Sequence, residues 1–417
     1  MGSLYKFISS QYQVWDACKL LGTDAIDVTE IWQHHDSQKR VIRHRLVSLD
    51  DVDAWLHKTS ETFDGIESSI LLRLVWVTFH HVERIKYISH RALDALLRHF
   101  CIELAHEWNW TRFAGSTGFS DSHRLSGPLF SYSICNHPKV ATAWSYSPLT
   151  GITQGIYYAG SSQIPELQGL VQSLVEIASH PMLTALVFAT SMSGQVEQEH
   201  KSIKDSVRAV EVRTRFHSWS NRNEAPAEGD YVSLSAMITG AKTRLANLCR
   251  RTRILHEICD FIWENLHTVH REGYDVKNPL PPSHTDIAKL INEYTRVLEK
   301  RTLLQEADVQ FFQHRADAQL VTHARINTNI ASATQQDSSS LRTLSLVTMF
   351  FLPGTFLATL FSVPLLKWNS ETIVDRKFWI YWAFAVPLTL MTFGTWWIWT
   401  SLMEGKLIKE RKQQKLL

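Results

Sequence analysis

Two charge-free runs near the C-terminus constrain the fold of this chain more than any other feature. The first extends over residues 343–366 and the second over residues 378–403, and neither contains Asp, Glu, Lys or Arg. Each run is longer than the roughly 20 apolar residues that a helix needs to cross a hydrocarbon layer. Tryptophans cluster near the ends of the second run, as in an interfacial aromatic belt (Trp379, Trp382, Trp396, Trp397 and Trp399). The sequence predicts two membrane-spanning helices; the alternative is a helical hairpin buried in a soluble core.

The composition of the whole chain hides these runs. The 417 residues carry a formal net charge of only +2, which argues against a nucleic-acid binder. With 20% charged and 11% aromatic residues, the chain is also unlike a disordered protein. These averages are those of a soluble protein, and they predict a large soluble part that precedes the two runs.

The surrounding charges predict the orientation. The N-terminal residues lack the basic and apolar pattern of a signal peptide, so the N-terminal part is expected to stay in the cytosol. Two spans then return the basic tail, residues 404–417, to the cytosolic side, in agreement with the positive-inside rule. Residues 367–377 form the predicted extracytosolic loop. We therefore expect an integral membrane protein with both termini in the cytosol.

Residues 1–282 are predicted to form a cytosolic α/β domain, a mixed sheet with flanking helices. The segment 71–79 is rich in β-branched and aromatic residues and predicts a strand. Three short runs over 127–160 are separated by turn-forming residues and predict an antiparallel meander. The segments 165–217, broken at His180-Pro181, and 234–270 then predict helices, so that the chain as a whole is mostly helical.

A very long helix is predicted to follow. Residues 283–352 contain neither Pro nor Gly, and a helix over 283–363 would be roughly 120 Å long at 1.5 Å per residue. We divide it into a stalk, residues 283–342, and the first membrane span. Its apolar positions form an imperfect stripe, which favours a helical bundle over a strict coiled coil (Ile287, Leu290, Ile291, Tyr294, Leu298, Leu304, Phe311 and Leu320).

Hydroxyl and leucine side chains recur every seven residues in and before the first span. They form two series three residues apart (Ser338, Ser345, Leu352 and Thr359; Leu341, Thr348, Thr355 and Ser362). Because lipid offers hydroxyl groups no partner, this face is expected to contact another helix or water. In a symmetric ring of subunits it would line a central pathway with apolar constrictions at Leu341, Leu344 and Leu352. The alternative is that the hydroxyls bond back to carbonyls of their own helix and line nothing.

The run MFFLPGTFLATLFS, residues 349–362, resembles the first transmembrane helix of the CorA-like divalent-cation transporters. The preceding DSSSL, residues 337–341, is similar to the fungal branch of that family. The resemblance implies a homopentamer in a lipid bilayer, with a cytosolic funnel and a stalk helix continuous with the pore-lining helix. It also implies Mg²⁺ or another divalent cation as the transported ion. The family's pore-facing positions fall on residues of the two series and on one more leucine (Ser338, Leu341, Leu344, Leu352, Thr355 and Thr359).

The chain departs from this family at the pore mouth. CorA-like proteins follow the first helix with Gly-Met-Asn, and alignment from Pro353 puts Ser362, Val363 and Pro364 there. An acidic stalk position that senses metal in bacterial members falls near Asn327. Glu371 and Asp375 in the loop are the remaining acidic candidates near the mouth, the alternative being a solvated turn.

No catalytic signature stands out in the sequence, and the histidines form no firm set of metal ligands. We expect neither an enzyme nor a bound cofactor. The predicted function is an oligomeric transporter or channel that passes divalent cations, with Mg²⁺ first, along the first transmembrane helix. The alternative is a non-conducting CorA-like protein that acts as a membrane-tethered interaction or signalling domain.

Overall fold

The computed structural model describes residues 18–37, 39–111, 114–121, 129–136, 140–214, 230–266, 282–361 and 378–414. These residues form ten strands and eight α-helices. They belong to two compact units, one up to Leu320 and the other from Val321 onward. The described chain thus has the α/β domain and the long helix that the sequence predicts.

All ten strands lie in the first 160 residues and precede the long helices. They are β1 (Lys19–Leu21), β2 (Ala25–His34), β3 (Arg40–Ser48), β4 (Ser60–Phe63), β5 (Ile66–His80), β6 (Ile85–Tyr87), β7 (Ala114–Asp121), β8 (Leu129–Asn136), β9 (Val140–Ser147) and β10 (Ile152–Ala159).

The sheet is mixed, as predicted. Strands β7, β8, β9 and β10 form an antiparallel meander, and β10 then pairs in parallel with β5. The predicted strand over 71–79 lies within β5, and the predicted meander over 127–160 corresponds to β8, β9 and β10. On its other edge β5 pairs with β2, which forms a hairpin with β3. Strands β2 and β3 were not predicted from the sequence.

The helices are α1 (Val52–Leu56), α2 (His90–Phe100), α3 (Glu103–Thr111), α4 (Ile164–Ser173), α5 (Met182–Thr214), α6 (Asp230–Leu266), α7 (Pro282–Phe361) and α8 (Phe378–Gln414). The predicted helical segment 165–217 is indeed broken before Met182. The breaker-free helix was predicted from about residue 283, and α7 begins at Pro282. Proline is well tolerated there because the first turn of a helix has no partner for its N–H group.

Helices cover both faces of the sheet. Alternate residues of β5 face opposite sides, as the two-residue repeat of a strand requires. Leu72 and Trp76 belong to the core against α4, α5, α6 and α7, whereas Val75 and Val77 belong to the core against α1, α2 and α3. Burial on both sides explains why β5 is a nearly continuous apolar run.

The first part of α7 packs with α5 and α6 through a strict heptad. Its buried positions alternate between three and four residues apart (Ala288, Ile291, Thr295, Leu298, Thr302, Gln305, Val309, Phe312, Ala316, Gln319 and His323). This is the 3.5-residue repeat of coiled-coil packing, and five of its eleven positions are polar, so the apolar stripe is imperfect and the helix packs in a bundle, as the sequence predicts. Three residues that we had assigned to the stripe, Tyr294, Leu304 and Phe311, are exposed instead.

Three polar members of this heptad, Thr295, Thr302 and Gln305, are hydrogen-bonded. The amide of Gln305 donates to the carbonyl of Ser193 at 3.1 Å and to a carboxylate oxygen of Glu197 at 3.0 Å. The hydroxyls of Thr295 and Thr302 donate to carbonyls one turn back, both at 2.8 Å. These side chains can therefore occupy the bundle core because their polar atoms are paired.

Candidate cation pathway

The second unit contains the predicted membrane segments. Among the described residues, α7 is the one helix long and apolar enough to cross a membrane, by length and composition. The apolar part of α8, Trp382–Ile398, is shorter than that length. Two membrane spans therefore remain a prediction. Helix α8 itself continues to Gln414, so the predicted basic tail is helical up to that residue.

One face of the C-terminal part of α7 packs against α8. Pro353 and Leu357 are buried on α7, and Ala385 is buried on α8. Further toward the N-terminal side, the guanidinium carbon of Arg342 lies 5.8 Å from the ring centre of Trp396. Because Arg342 precedes this packing face on α7 and Trp396 follows Ala385 on α8, the two helices run antiparallel.

The predicted pore-lining residues lie on a different face of α7. At 3.6 residues per turn their mean direction is roughly 140° around the helix from that of Pro353 and Leu357. All those within the described residues are exposed (Ser338, Leu341, Leu344, Ser345, Thr348, Leu352, Thr355 and Thr359). Phe350 and Phe351 lie between these two faces and are also exposed, whereas the exposed Phe356 lies beside the hydroxyl face. The helix thus has a packing face, a hydroxyl face and, between them, a third face with Phe350 and Phe351, which we call the aromatic face.

The hydroxyl groups of this face donate hydrogen bonds to their own helix. Ser345 Oγ donates to the carbonyl of Leu341 at 2.9 Å, and Thr348 Oγ1 to that of Leu344 at 3.1 Å. Thr355 Oγ1 lies 3.0 Å from the carbonyl oxygen of Phe351, and Thr359 Oγ1 lies 2.8 Å from that of Thr355. The backbone bonding that we considered as the alternative is therefore present.

This bonding is compatible with a pathway for cations. A hydroxyl has one hydrogen to donate and two lone pairs to accept with. When the hydrogen is directed into the helix, the side chain presents acceptor oxygen outward. Such a surface suits a hydrated cation, whose water molecules direct their hydrogens away from the metal.

The two threonines farthest along α7 also border a cavity beside α8. On α7 this cavity, of about 540 Å³, is lined by Leu352, Thr355 and Thr359 and also by Pro353 and Phe356, and on α8 by Leu388 and Thr392. The contribution of α8 to this cavity was not predicted from the sequence. The regular spacing of the threonines in α8 is the signal that could have indicated it (Thr389, Thr392 and Thr395).

The residues predicted for the pore mouth lie outside the described residues. They are Ser362, Val363 and Pro364, and the loop acids Glu371 and Asp375. Asn327, which replaces the acidic stalk position of the family, is exposed on α7. Among the described residues, no group of three or more His, Cys, Asp and Glu side chains is arranged to hold a metal ion.

The fold and this face define a class of protein: an α/β domain followed by a long helix whose apolar end exposes a row of hydroxyls.

No protein-family model matches the chain. One curated protein, the notoamide biosynthesis cluster protein M′ of Aspergillus versicolor, is 34% identical over 61 residues. The match spans 14% of this chain and only 13% of that protein.

Two solved structures are similar over most of the chain. The full-length CmaX protein is 11% identical with a TM-score of 0.38, and the alignment covers 91% of this chain and 98% of CmaX. The CorA magnesium transporter of Methanocaldococcus jannaschii is 9% identical with a TM-score of 0.36, covering 90% of this chain and 98% of the transporter. Scores at this level assign the chain neither to a family nor to a function.

Proposed function

We propose that this chain is a CorA-like membrane protein that assembles into a ring, with five copies as the first expectation, and conducts divalent cations. Mg²⁺ is the first candidate ion. The hydroxyl face of α7 lines the pathway, both termini lie in the cytosol, and ions move down their electrochemical gradient. The proposal rests on residues of this chain, and above all on the division of α7 into three faces.

This division carries the proposal because, among the described residues, one face of the apolar segment is buried and the other two are exposed. The packing face contacts α8, and the aromatic face is suited to lipid. The hydroxyl face is neither apolar enough to prefer lipid nor buried in the described residues. Exposure to water in a pathway, or to the same face of other copies, accounts for its chemistry.

Two features of α7 support self-association. Every residue from 331 to 345 is exposed, so this part of the helix is covered little by the described residues, although Arg342 lies beside Trp396. A single helix in water gains little stability without packing. Farther back, the exposed Val297, Leu304 and Phe311 repeat every seven residues on a face outside the heptad core. A second copy of the chain would cover these apolar side chains.

The proposed lining matches the chemistry of a hydrated divalent cation. Mg²⁺ gives up its water reluctantly, so it is expected to pass Ser345, Thr348, Thr355 and Thr359 with water molecules attached. Leucines at 341, 344 and 352 would form constrictions that can close by dewetting. The mouth, with Ser362, Val363 and Pro364, then supplies no Asn side chain, and Glu371 and Asp375 are the proposed acids that concentrate cations there.

The test is ion flux through the full-length protein reconstituted in liposomes. Mg²⁺, Zn²⁺, Co²⁺ and Ni²⁺ are compared side by side for the wild type and for the double variant Thr355→Leu/Thr359→Leu. The variant is expected to lose at least 90% of the flux, since both changes replace acceptor oxygens by apolar groups. Thr343→Leu is the matched control, because Thr343 donates to the carbonyl of Ser339 at 3.0 Å but lies outside the hydroxyl face.

Unchanged flux in the double variant would disprove the assigned lining. If the wild type inserts and crosslinks into rings but passes none of the four ions, conduction is wrong and the non-conducting alternative is favoured. Crosslinking in membranes also counts the subunits, so a number other than five corrects the expected ring size.

A further inference from the structure

A cavity between the end of α6 and the beginning of α7 combines an aromatic ring with basic side chains. It has a volume of about 970 Å³ and lies entirely within the first unit. The residues that carry the inference are Trp263 of α6 and Lys289, Arg296, Glu299 and Lys300 of α7. The cavity lies far along the chain from the hydroxyl face of α7.

The basic side chains form one extended row. Arg296 and Lys300 are one turn apart on α7, and Lys289 lies two turns before Arg296, so the row is about 16 Å long at 1.5 Å per residue. All three side chains are exposed. Arg296 and Lys300 have no acidic partner among the described residues, and Lys289 pairs only with the exposed Asp286 at 3.2 Å. Such surface pairs are weak, so the row remains available to an elongated anion.

The aromatic wall gives the cavity a second kind of contact. Trp263 is half-buried, and its indole Nε1 atom is buried without a hydrogen-bond partner in the described residues. Buried N–H groups are normally satisfied, and the flat indole offers a surface on which a base can stack. Glu299, also half-buried, supplies a carboxylate in the same lining. A carboxylate opposes bare phosphate, but it is a good acceptor for the hydroxyls of a ribose.

From this combination we infer that the cavity binds a nucleoside polyphosphate. The phosphates contact Lys289, Arg296 and Lys300, the ribose hydroxyls donate to Glu299, and the base stacks on Trp263. The volume falls within the range of small-molecule sites. This inference does not depend on the proposed transport function.

Equilibrium binding of ATP to the full-length protein in detergent tests the inference, with EDTA present so that divalent cations bound elsewhere do not contribute. We expect saturable binding of one ATP per chain. Arg296→Gln/Lys300→Gln should weaken it at least tenfold, and Trp263→Leu about tenfold through the lost ring. The matched control is Arg253→Gln, an exposed arginine of α6 outside the cavity, which should change the affinity less than twofold.

Inorganic tripolyphosphate and adenosine separate the contributions of the two halves of the ligand. Tripolyphosphate is expected to bind at least tenfold more weakly than ATP, and adenosine more weakly still. Equal affinities for ATP and tripolyphosphate would overturn the nucleoside assignment and leave a site for simple polyanions. Absence of saturable ATP binding, or equal affinity in the wild type and Arg296→Gln/Lys300→Gln, would overturn the site itself.

Discussion

Lys86 is a buried cation in an aromatic setting, and its charge should make the stability of the first unit depend on pH. Its side chain lies in β6 and is only 6% exposed. Lys86 Nζ is 3.3 Å from the ring centre of Trp110 and 5.3 Å from that of Tyr158. Burial lowers the pKa of Lys86 from its ordinary value of 10.5 to about 8, against a smaller effect of Cys18 that raises it. Burial lowers the pKa of the neighbouring His106, and the charge of Lys86 lowers it further.

The magnitude follows from the pKa of Lys86. A difference of one pH unit is worth roughly 1.4 kcal/mol, so the ammonium form destabilises the fold by about 3 kcal/mol. The ring of Trp110 returns up to about 2 kcal/mol of this through a cation–π interaction. Because the unfolded chain binds the proton more tightly, stability should rise as pH increases from 8 toward 10.5. Below pH 8 both states are protonated and the full penalty is present.

Lys86→Met keeps the length of the side chain and removes the charge. At pH 7 the variant should be more stable than the wild type by about 1 kcal/mol, the burial penalty less the lost cation–π interaction. This advantage should shrink as pH rises. Thermal unfolding of the full-length protein in detergent between pH 7 and 9.5 measures the difference, with the exposed Lys204→Met as control. An advantage that stays constant or grows with pH would refute the reasoning.

Two further changes test the packing of the first unit by the same thermal unfolding. Gly155→Ala should destabilise the first unit by about 3 kcal/mol or more, since a Cβ atom there would lie 2.5 Å from Trp144 Cβ and 2.8 Å from the Ala143 carbonyl oxygen. The control is Gly169→Ala, where a Cβ atom would meet nothing within 4 Å, and this change should be neutral or slightly stabilising. Equal effects of the two changes would contradict the steric explanation. Arg315→Met should cost about 3 kcal/mol because it leaves the buried carboxylate of Glu211 without its bidentate partner. Adding Glu211→Leu to Arg315→Met should recover part of that loss, and a further loss would show that the ion pair is not the cause.

The sheet was predicted where the strands have strong local signals. Strand β5 is buried on both faces and reads as an unbroken apolar run, and the meander is marked by turn-forming residues between its strands. Strands β2 and β3 were not predicted because they carry several charged residues, some of them at buried positions; Glu30, for example, is fully buried. Its carboxylate accepts from Trp55 Nε1 at 2.8 Å and lies 3.0 Å from Arg45 Nη2. A partner that distant in the chain cannot be identified from local pattern.

The heptad of α7 was missed for a related reason. Its register is regular, but Thr295, Thr302 and Gln305 interrupt the apolar series, whereas Leu304 and Phe311 suggest core positions while lying exposed. What makes the polar residues acceptable in the core is hydrogen bonding, in part to α5. A hydropathy pattern records the type of side chain and not its partner. The length of α7 was predictable because the absence of Pro and Gly is a purely local property.

The hydroxyl face of α7 shows how far a periodic pattern can be taken. A series of Ser and Thr residues is equally compatible with helix packing, with bonding to the backbone and with a pathway. Their bonds to their own helix satisfy the donors without using the outward lone pairs, so backbone bonding and a pathway are not exclusive. The buried contacts with α8 are made through Pro353 and Leu357, while Thr355 and Thr359 border a cavity that α8 also lines. The pattern thus needs the position of a neighbouring helix before it favours a pathway, and the Thr355→Leu/Thr359→Leu variant tests the hydroxyl face without replacing Pro353 or Leu357.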